Sequence, residues 1–179
     1  MKHALVIGGT GMLSEVSLWL SKNGYHVSVI GRNPEKMQRL LEQNSAQLSP
    51  VFVDYTNTKE LADHLVQIQQ KNGALHLVVA WIHSNGIQVI PCLIDRLPAS
   101  RPWTLFHVNG SSSNLDEIKS KLILPKHIHY AQILLGFKVE NEVSRWLTHQ
   151  EISGGIIEAI QEKSSKKIIG TISPLEKLP

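Results

Sequence analysis

Short apolar runs alternate along the chain with longer segments in which apolar residues recur at intervals of three and four. The first run, residues 4–7, is continuously apolar, which is typical of a strand buried on both faces of a sheet. The same pattern predicts further strands at residues 26–30, 51–53, 75–81, 103–108, 127–137 and 167–172. Helical spacing and cap residues predict helices at residues 12–23, 35–44, 59–71, 85–100, 114–121 and 149–163.

This alternation of strands and helices predicts an α/β fold. Parallel neighbouring strands need crossover connections, so we expect a doubly wound, seven-stranded, mostly parallel sheet with helices on both faces. No linker divides the chain, and residues 1–179 are expected to form a single domain. The segment 85–100 is irregular at its start, because Gly86, Pro91 and Pro98 interrupt its helical spacing.

Charge and composition narrow the classes of function. The net charge is +3 without a dense run of lysine and arginine, which argues against a nucleic-acid surface. No apolar stretch approaches the length of a membrane span and the chain begins directly with a strand, so we expect neither a span nor a signal peptide. Cys92 is the only cysteine and is interpreted as a small core residue of a cytoplasmic protein. His127 and His129 share a strand face without a third ligand, so no metal site is predicted.

A glycine-rich loop follows the first strand and precedes the first helix. It reads Gly8-Gly9-Thr10-Gly11-Met12-Leu13, and Ser14 stands where a third glycine would complete a Gly-x-x-Gly-x-x-Gly pattern. Backbone N–H groups of such a loop bind phosphate at a helix N-terminus; Gly8 permits the tight turn, and Gly11 lets a pyrophosphate approach. The loop is therefore predicted to bind a dinucleotide.

The end of the second strand indicates which dinucleotide is bound. A carboxylate there would favour NAD, but the chain has Gly31-Arg32-Asn33. The guanidinium of Arg32 can bind a 2′-phosphate through paired hydrogen bonds and can stack on adenine. We therefore predict NADP as the cofactor, with Arg32 and Asn33 among its ligands. A solvated arginine at a strand end is the alternative.

With these features the sequence resembles the short-chain dehydrogenase/reductase superfamily over nearly its whole length, and the resemblance implies a Rossmann-like fold. Asp54-Tyr55 stands where an acid of the family contacts the adenine amino group, and Trp81 stands where the fourth strand ends beside the cofactor. Gly136 closes the sixth strand, where the family often has Pro-Gly near the nicotinamide. The resemblance thus adds Asp54, Tyr55, Trp81 and Gly136 to the expected cofactor-binding residues.

The Tyr-x-x-x-Lys pair that transfers the proton in the family is missing from its usual place after the fifth strand. Tyr25 precedes the second strand, Tyr55 follows the third, and Tyr130 is followed four residues later by Leu134. The lysine of the pair lowers the pKa of the tyrosine and anchors the nicotinamide ribose. Without both residues, the usual mechanism of the family is not available.

Other residues near the predicted cofactor could supply the chemistry. Ser111 and Ser112 follow the fifth strand, where the family carries its catalytic serine. Either could polarise a carbonyl, or both could serve only the loop. His83 follows the fourth strand, and its imidazole could act as a general acid; a polar loop histidine is the plainer interpretation. Ser111, Ser112 and His83 are the predicted catalytic residues.

Three hypotheses of function fit these observations. The leading hypothesis is an NADP(H)-binding oxidoreductase that acts on an unidentified small molecule with non-standard catalytic residues. The alternative is a non-catalytic NADP(H)-binding redox sensor similar to the NmrA-like regulators, and a scaffold without turnover is a third. The short helix near residues 114–121 argues against the tetramer of the family and leaves a homodimer and a monomer open. The short segment 138–147 predicts little room for a substrate lid.

Overall fold

The computed structural model describes residues 1–44 and 46–179. Within these ranges the strands are β1 (Lys2–Ile7), β2 (Tyr25–Gly31), β3 (Leu48–Phe52), β4 (Leu77–Trp81), β5 (Trp103–Asn109), β6 (Ile128–Leu135), β7 (Phe137–Glu140), β8 (Val143–Trp146) and β9 (Lys166–Ile169). The α-helices that the same ranges contain are α1 (Ser14–Lys22), α2 (Pro34–Gln43), α3 (Thr58–Asn72), α4 (Val89–Arg96), α5 (Leu115–Ser120) and α6 (His149–Glu162).

Seven of these strands form one parallel sheet in the order β3-β2-β1-β4-β5-β6-β9. Because β1 pairs with both β2 and β4, the strand order reverses at β1 and β4. In such sheets the crevice outside the carboxyl ends of these two strands is where ligands bind. The predicted doubly wound α/β fold is confirmed, and each predicted strand is present with bounds that differ by a few residues.

Helices cover both faces of the sheet, as predicted. On one face, α1, α2 and α6 bury apolar side chains such as Val16, Met37 and Ile156 against the strands. On the other face, α3 and α4 do the same with side chains such as Leu65 and Leu93. Each fully buried side chain of this size stabilises the fold by about 1.5–3 kcal/mol. The two apolar layers hold the strand ends, and with them the loops of the site, in fixed positions.

The prediction of one long strand over residues 127–137 is wrong at its end. β6 stops at Leu135, and Phe137 begins an antiparallel hairpin of β7 and β8 that turns at Asn141 and Glu142, both with positive φ. Glycine is required at position 136, between the two strands, because a Cβ there would clash with the carbonyl oxygen of Thr171. The segment predicted as a short connection is therefore a two-stranded ribbon.

An ion-pair network fastens this hairpin to the start of α6. The guanidinium of Arg145 donates to both carboxylate oxygens of Glu151 at 2.9 Å, and to Glu140 on the opposite strand at 2.8 and 3.2 Å. Lys138 also pairs with Glu151, at 2.7 Å. Glu151 completes a capping box with Thr148, which confirms the predicted cap of this helix.

The helical prediction for residues 85–100 is also too long. A 3-10 turn at Ser84–Gly86 precedes α4, which occupies only Val89–Arg96. The side chain of Asn57 caps α3, since it accepts the hydrogen bond from the Glu60 N–H. No helix in the part of the chain that the structure describes is long and apolar enough to cross a membrane.

Candidate functional site

The glycine-rich loop joins β1 to α1 at the carboxyl end of the sheet. Gly8 has a φ of +82°, a left-handed conformation that favours glycine, and its N–H donates to the carbonyl of Ile30 at 3.2 Å. The Gly11 N–H donates to the Gly8 carbonyl at 3.4 Å, and the Ser14 N–H donates to the Gly11 carbonyl at 3.0 Å. These bonds fold the loop into consecutive turns before the helix begins.

Gly11 and Gly9 have different surroundings. Among the described residues other than its two chain neighbours, no atom lies within 4 Å of the position that a Cβ would take on Gly11, so this side of the loop is open to a ligand. A Cβ on Gly9, in contrast, would lie 2.7 Å from Val29 Cγ1 and 2.8 Å from Ser17 Oγ. Close packing of helix on strand is the role of the third glycine in the full pattern. Here Gly9 provides that packing, while Ser14 only begins the helix.

The first helix begins without a side-chain cap. Leu13 occupies its N-cap position, is fully buried, and offers no oxygen to the N–H groups of the first turn. Asn33, Asn57 and Thr148 do cap α2, α3 and α6. The uncapped N–H groups and the positive end of the helix dipole can bind an anion beside Gly11.

The end of β2 lies directly beside this loop. A Cβ on Gly31 would lie 3.0 Å from Thr10 Cγ2 and 3.1 Å from Thr10 Oγ1, so the two residues pack against each other. Asn33 is exposed, and its side chain accepts a hydrogen bond from the Lys36 N–H at 2.9 Å. The Asn33 side chain therefore already caps α2, in addition to its predicted role as a cofactor ligand.

Arg32 forms an ion pair that the sequence did not indicate. Its guanidinium donates to Asp54 Oδ2 at 3.0 Å, and the two side chains are 71% and 41% exposed. Asp54 Oδ1 accepts from the N–H and the hydroxyl of Thr56. The hydrogen bonds from Thr56, and then that from Arg32, hold the pKa of Asp54 below its usual value. Arg32 is predicted to bind the 2′-phosphate and Asp54 the adenine amino group, but in this structure the two side chains bind each other.

Tyr55 contacts the loop that follows β4. The Tyr55 hydroxyl accepts a hydrogen bond from the His83 N–H at 3.3 Å, and a Cβ on Gly86 would lie 3.0 Å from the Tyr55 ring. Lys59 follows Tyr55 by four residues, so the spacing of the family's pair does occur here. Lys59 lines a groove with Cys92 between α3 and α4.

Trp81 connects three loops at the carboxyl end of the sheet. A Cβ on Gly8 would lie 3.4 Å from Trp81 Cβ, and one on Gly110 would lie 3.7 Å from Trp81 Cη2. The indole therefore extends from the end of β1 towards the end of β5. The exposed His83 ring stands edge-on to the indole, with centroids 5.4 Å apart and planes at 72°. The half-buried indole and the histidine form an aromatic wall beside the glycine loop.

The serine loop begins where β5 ends. Asn109 is buried and its amide donates to the carbonyls of His107 and Ile133, which ties the ends of β5 and β6 together. Ser111 is half-buried and Ser112 is exposed in the turn that follows. The structure brings this loop next to Trp81 through Gly110. It gives neither serine a hydrogen-bonded base among the described residues.

Two predicted cofactor ligands have structural contacts of their own. The carbonyl of Met12 accepts a hydrogen bond from the Ser153 hydroxyl at 2.8 Å, which joins the glycine loop to α6. Gly136 lies against Thr171 at the bridge between Phe137 and the end of β9. This close packing accounts for a glycine at position 136. The role of Gly136 near a nicotinamide stays a prediction.

A buried polar pair on β5 and β6 was not found from the sequence. A hydrogen bond of 2.9 Å joins Nδ1 of His107 to the hydroxyl of Tyr130, and the rings are 6.0 Å apart. Burial lowers the pKa of His107 to about 4 and raises the pKa of Tyr130 to about 12. The alternation of side chains along β5 suggests that His107 faces the core. That Tyr130 lies near His107, however, is known only from the register in which β5 and β6 pair. The described residues contain no group of three metal-ligating side chains.

The parallel sheet, its strand-order reversal and the glycine loop at that point define a protein of the dinucleotide-binding α/β class. Residues 2–112 match the short chain dehydrogenase family, which is more than half of the chain, and the protein belongs to that family. The resemblance predicted from the sequence is thereby confirmed.

A relative and several solved structures are similar to the chain. An uncharacterized oxidoreductase of Myxococcus xanthus (strain DK1622) is 26% identical over 145 residues, which cover 76% of this chain and 56% of the relative. The chain thus spans little more than half the length of that relative. YwfH, an NADPH dependent reductase involved in bacilysin biosynthesis, superposes with a TM-score of 0.72 at 13% identity, covering 95% of this chain and 99% of YwfH. A short chain dehydrogenase/reductase family oxidoreductase from Aeromonas hydrophila subsp. hydrophila ATCC 7966 gives 0.71 at 14% identity, covering 96% and 99%. At these identities the two structures support the fold alone.

Proposed function

We propose that the protein binds NADPH and acts as an oxidoreductase on a small molecule, without a tyrosine–lysine pair. The observation that carries the proposal is the open Gly11 beside the uncapped start of α1, with Arg32 at the end of the neighbouring strand. The first two features suit a pyrophosphate, and the third suits a 2′-phosphate. The description of the structural neighbour YwfH as an NADPH dependent reductase agrees with this cofactor.

The residues around the crevice would hold and orient both ligands. Trp81 and His83 would form the aromatic wall beside the nicotinamide, and the serine loop would lie on the other side. The bound nicotinamide supplies a hydride. Ser111 or Ser112 would donate a hydrogen bond to the acceptor oxygen, and the His83 imidazole or water would deliver the proton. His83 and Ser112 are exposed, so a proton from solvent can reach both.

The cofactor assignment is tested by fluorescence titration with NADPH and NADH. Arg32→Asp should weaken NADPH at least about tenfold and leave NADH nearly unchanged, because only NADPH carries the phosphate that the guanidinium binds. Arg39→Asp, which makes the same change of charge at an exposed residue later in α2, is the matched control. Equal effects on both nucleotides would refute the 2′-phosphate assignment.

The reaction is tested separately, by loss of NADPH absorbance across a panel of quinones, flavins and carbonyl compounds. Turnover of any member supports the oxidoreductase, and Ser111→Ala, Ser112→Ala and His83→Gln should then lower kcat more than they raise KM. Tight NADPH binding with no turnover across the panel would contradict the enzyme and favour a redox sensor. No binding of either nucleotide below millimolar concentration would contradict both.

A further inference from the structure

The first half of β6 has a free outer edge. β5 pairs with β6 along residues 128–134 on the inner side, whereas β9 pairs only with Gln132–Leu135 on the outer side. The helix that precedes β6 is short: α5 has six residues and is about 9 Å long, against about 26 Å for the eight-residue strand. Because β9 begins to pair only at Gln132, none of the described strands lies beside residues 128–131 on their outer side, at the end of the sheet opposite the glycine loop.

A cavity of about 690 Å³ opens along this free edge. Side chains of β4, β5, β6 and α6 give it an apolar floor, formed by Leu77, Phe106, Ala131 and Ile160, which all belong to the apolar layer on the α1 and α6 face of the sheet. The first three of these are 2–4% exposed, so the floor is part of the folded core. The volume lies within the range of about 300–1,000 Å³ that is common for small-molecule sites.

The rim of the cavity is basic. Lys119 of α5 and Lys163 at the end of α6 line it together with His76 and His129, and none of the lining residues is acidic. Ser165, which is exposed, and Ser164, whose hydroxyl donates to Glu162 Oε2 at 3.2 Å, complete the rim. Two lysines at the rim of an apolar floor are complementary to an anion attached to an apolar body.

The two lysines of this rim differ from nearby lysines of the chain in their ion pairs. Lys121 pairs with Glu117 at 2.6 Å, Lys166 with Asp116 at 3.6 Å, and Lys167 with Glu158 at 2.6 Å. Across residues 1–44 and 46–179, neither Lys119 nor Lys163 forms an ion pair. The positive charge at the rim is thus not neutralised by the protein itself.

We propose that this cavity is a second ligand site, which binds an amphipathic organic anion: a carboxylate or phosphate on an apolar chain or ring. The apolar body lies on the floor between β6 and α6, and the acid group lies between Lys119 and Lys163. The site is separate from the dinucleotide crevice, because it lies at the amino ends of the strands and the glycine loop lies at their carboxyl ends. It does not depend on the proposed oxidoreductase function.

Decanoate is the probe for this site, titrated calorimetrically into the full chain below its micellar concentration. Decanol and decyltrimethylammonium, which keep the apolar chain and change the charge, are the matched ligands. Decanoate should bind one molecule per chain, at least about tenfold more tightly than either. Equal binding of the three compounds, or binding without saturation, would overturn the proposal.

Two variants test the rim. Lys119→Gln and Lys163→Asn should each weaken decanoate about three- to tenfold and leave NADPH affinity unchanged. Asparagine is chosen at position 163 because the residue has a φ of +55°, which asparagine tolerates. Lys177→Gln, in the exposed C-terminal segment, removes the same charge and should have no effect. Variants that keep the wild-type unfolding temperature and the wild-type decanoate affinity would overturn the assignment of the rim.

Discussion

The ion pair between Arg32 and Asp54 leads to a prediction that is opposite to the usual effect of removing a site residue. The guanidinium that is proposed to bind the 2′-phosphate donates to Asp54 Oδ2 at 3.0 Å. NADPH must therefore compete with a carboxylate of the protein for this group. Asp54→Asn removes the competitor and should strengthen NADPH binding.

The structure sets the size of this effect. The two side chains are 71% and 41% exposed, and an ion pair this accessible to water contributes little. Its removal, with the loss of a negative charge beside the phosphate, should lower the Kd of NADPH about two- to fivefold at low salt. The substitution keeps Oδ1, which accepts from the Thr56 N–H and hydroxyl, so the turn after β3 should stay in place.

Fluorescence titration of both nucleotides into both proteins measures the effect, at low and at high ionic strength. The gain should appear for NADPH only and should shrink with added salt, because screening weakens interactions of exposed charges. Glu60→Gln, in the first turn of α3, changes the net charge equally without touching Arg32 and should not strengthen binding. A loss of affinity that is equal for NADPH and NADH would refute the reasoning, and would mean that Asp54 acts only on the part common to both nucleotides.

Further predictions concern the glycine loop and the buried His107. Gly9→Ala should destabilise the protein by about 1–3 kcal/mol in urea unfolding, since its Cβ meets Val29 and Ser17, and a stable Gly9→Ala protein would contradict the packing argument. Gly11→Val should leave folding intact and abolish nucleotide binding. His107 is neutral when folded and takes up a proton on unfolding below its ordinary pKa of 6.5, so stability should be full above that pH and fall by about 3 kcal/mol as the pH approaches 4. The double variant His107→Phe with Tyr130→Phe should show a flatter loss between those pH values, and an unchanged pH dependence would assign the effect elsewhere.

The fold could be predicted from the sequence because β1 and β4 have continuous apolar runs, the other strands of the sheet have shorter ones, and the covering helices have apolar stripes. The hairpin of β7 and β8 could not, because Phe137 is the only one of its apolar residues that is buried. Val139, Val143 and Trp146 are 37%, 68% and 52% exposed, and the ribbon is held by Arg145 and Glu151 instead. Ion pairs between a ribbon and a helix leave no periodic signal in the sequence.

In the site, the sequence predicted which loops meet but not how their side chains pair. A strand followed by a glycine-rich turn and a helix is a local pattern, and it identified residues 8–13. The contact of Arg32 with Asp54 joins residues 22 apart in the chain through the pairing of β2 with β3, and the register of that pairing was not known in advance. Gly9 and Gly11 look alike in the sequence, and only the packing of α1 distinguishes the buried one from the open one.

The contacts of the tyrosines bear on which substrates the proposed enzyme could reduce. Tyr25 begins β2 at the amino end of the sheet, beneath the ammonium of Lys2 at 5.8 Å, far from the glycine loop along the strand. Tyr130 bonds to His107 within the sheet, and a hydroxyl with a pKa of about 12 is a poor proton donor at neutral pH. Tyr55 alone reaches a loop of the crevice, where its hydroxyl accepts from the His83 N–H. Because the tyrosine–lysine pair of the family is missing from its usual place in the sequence, the proposed reaction suits acceptors that take a hydride with water or an exposed side chain as the proton source. Quinones and flavins should therefore be reduced faster than unactivated ketones.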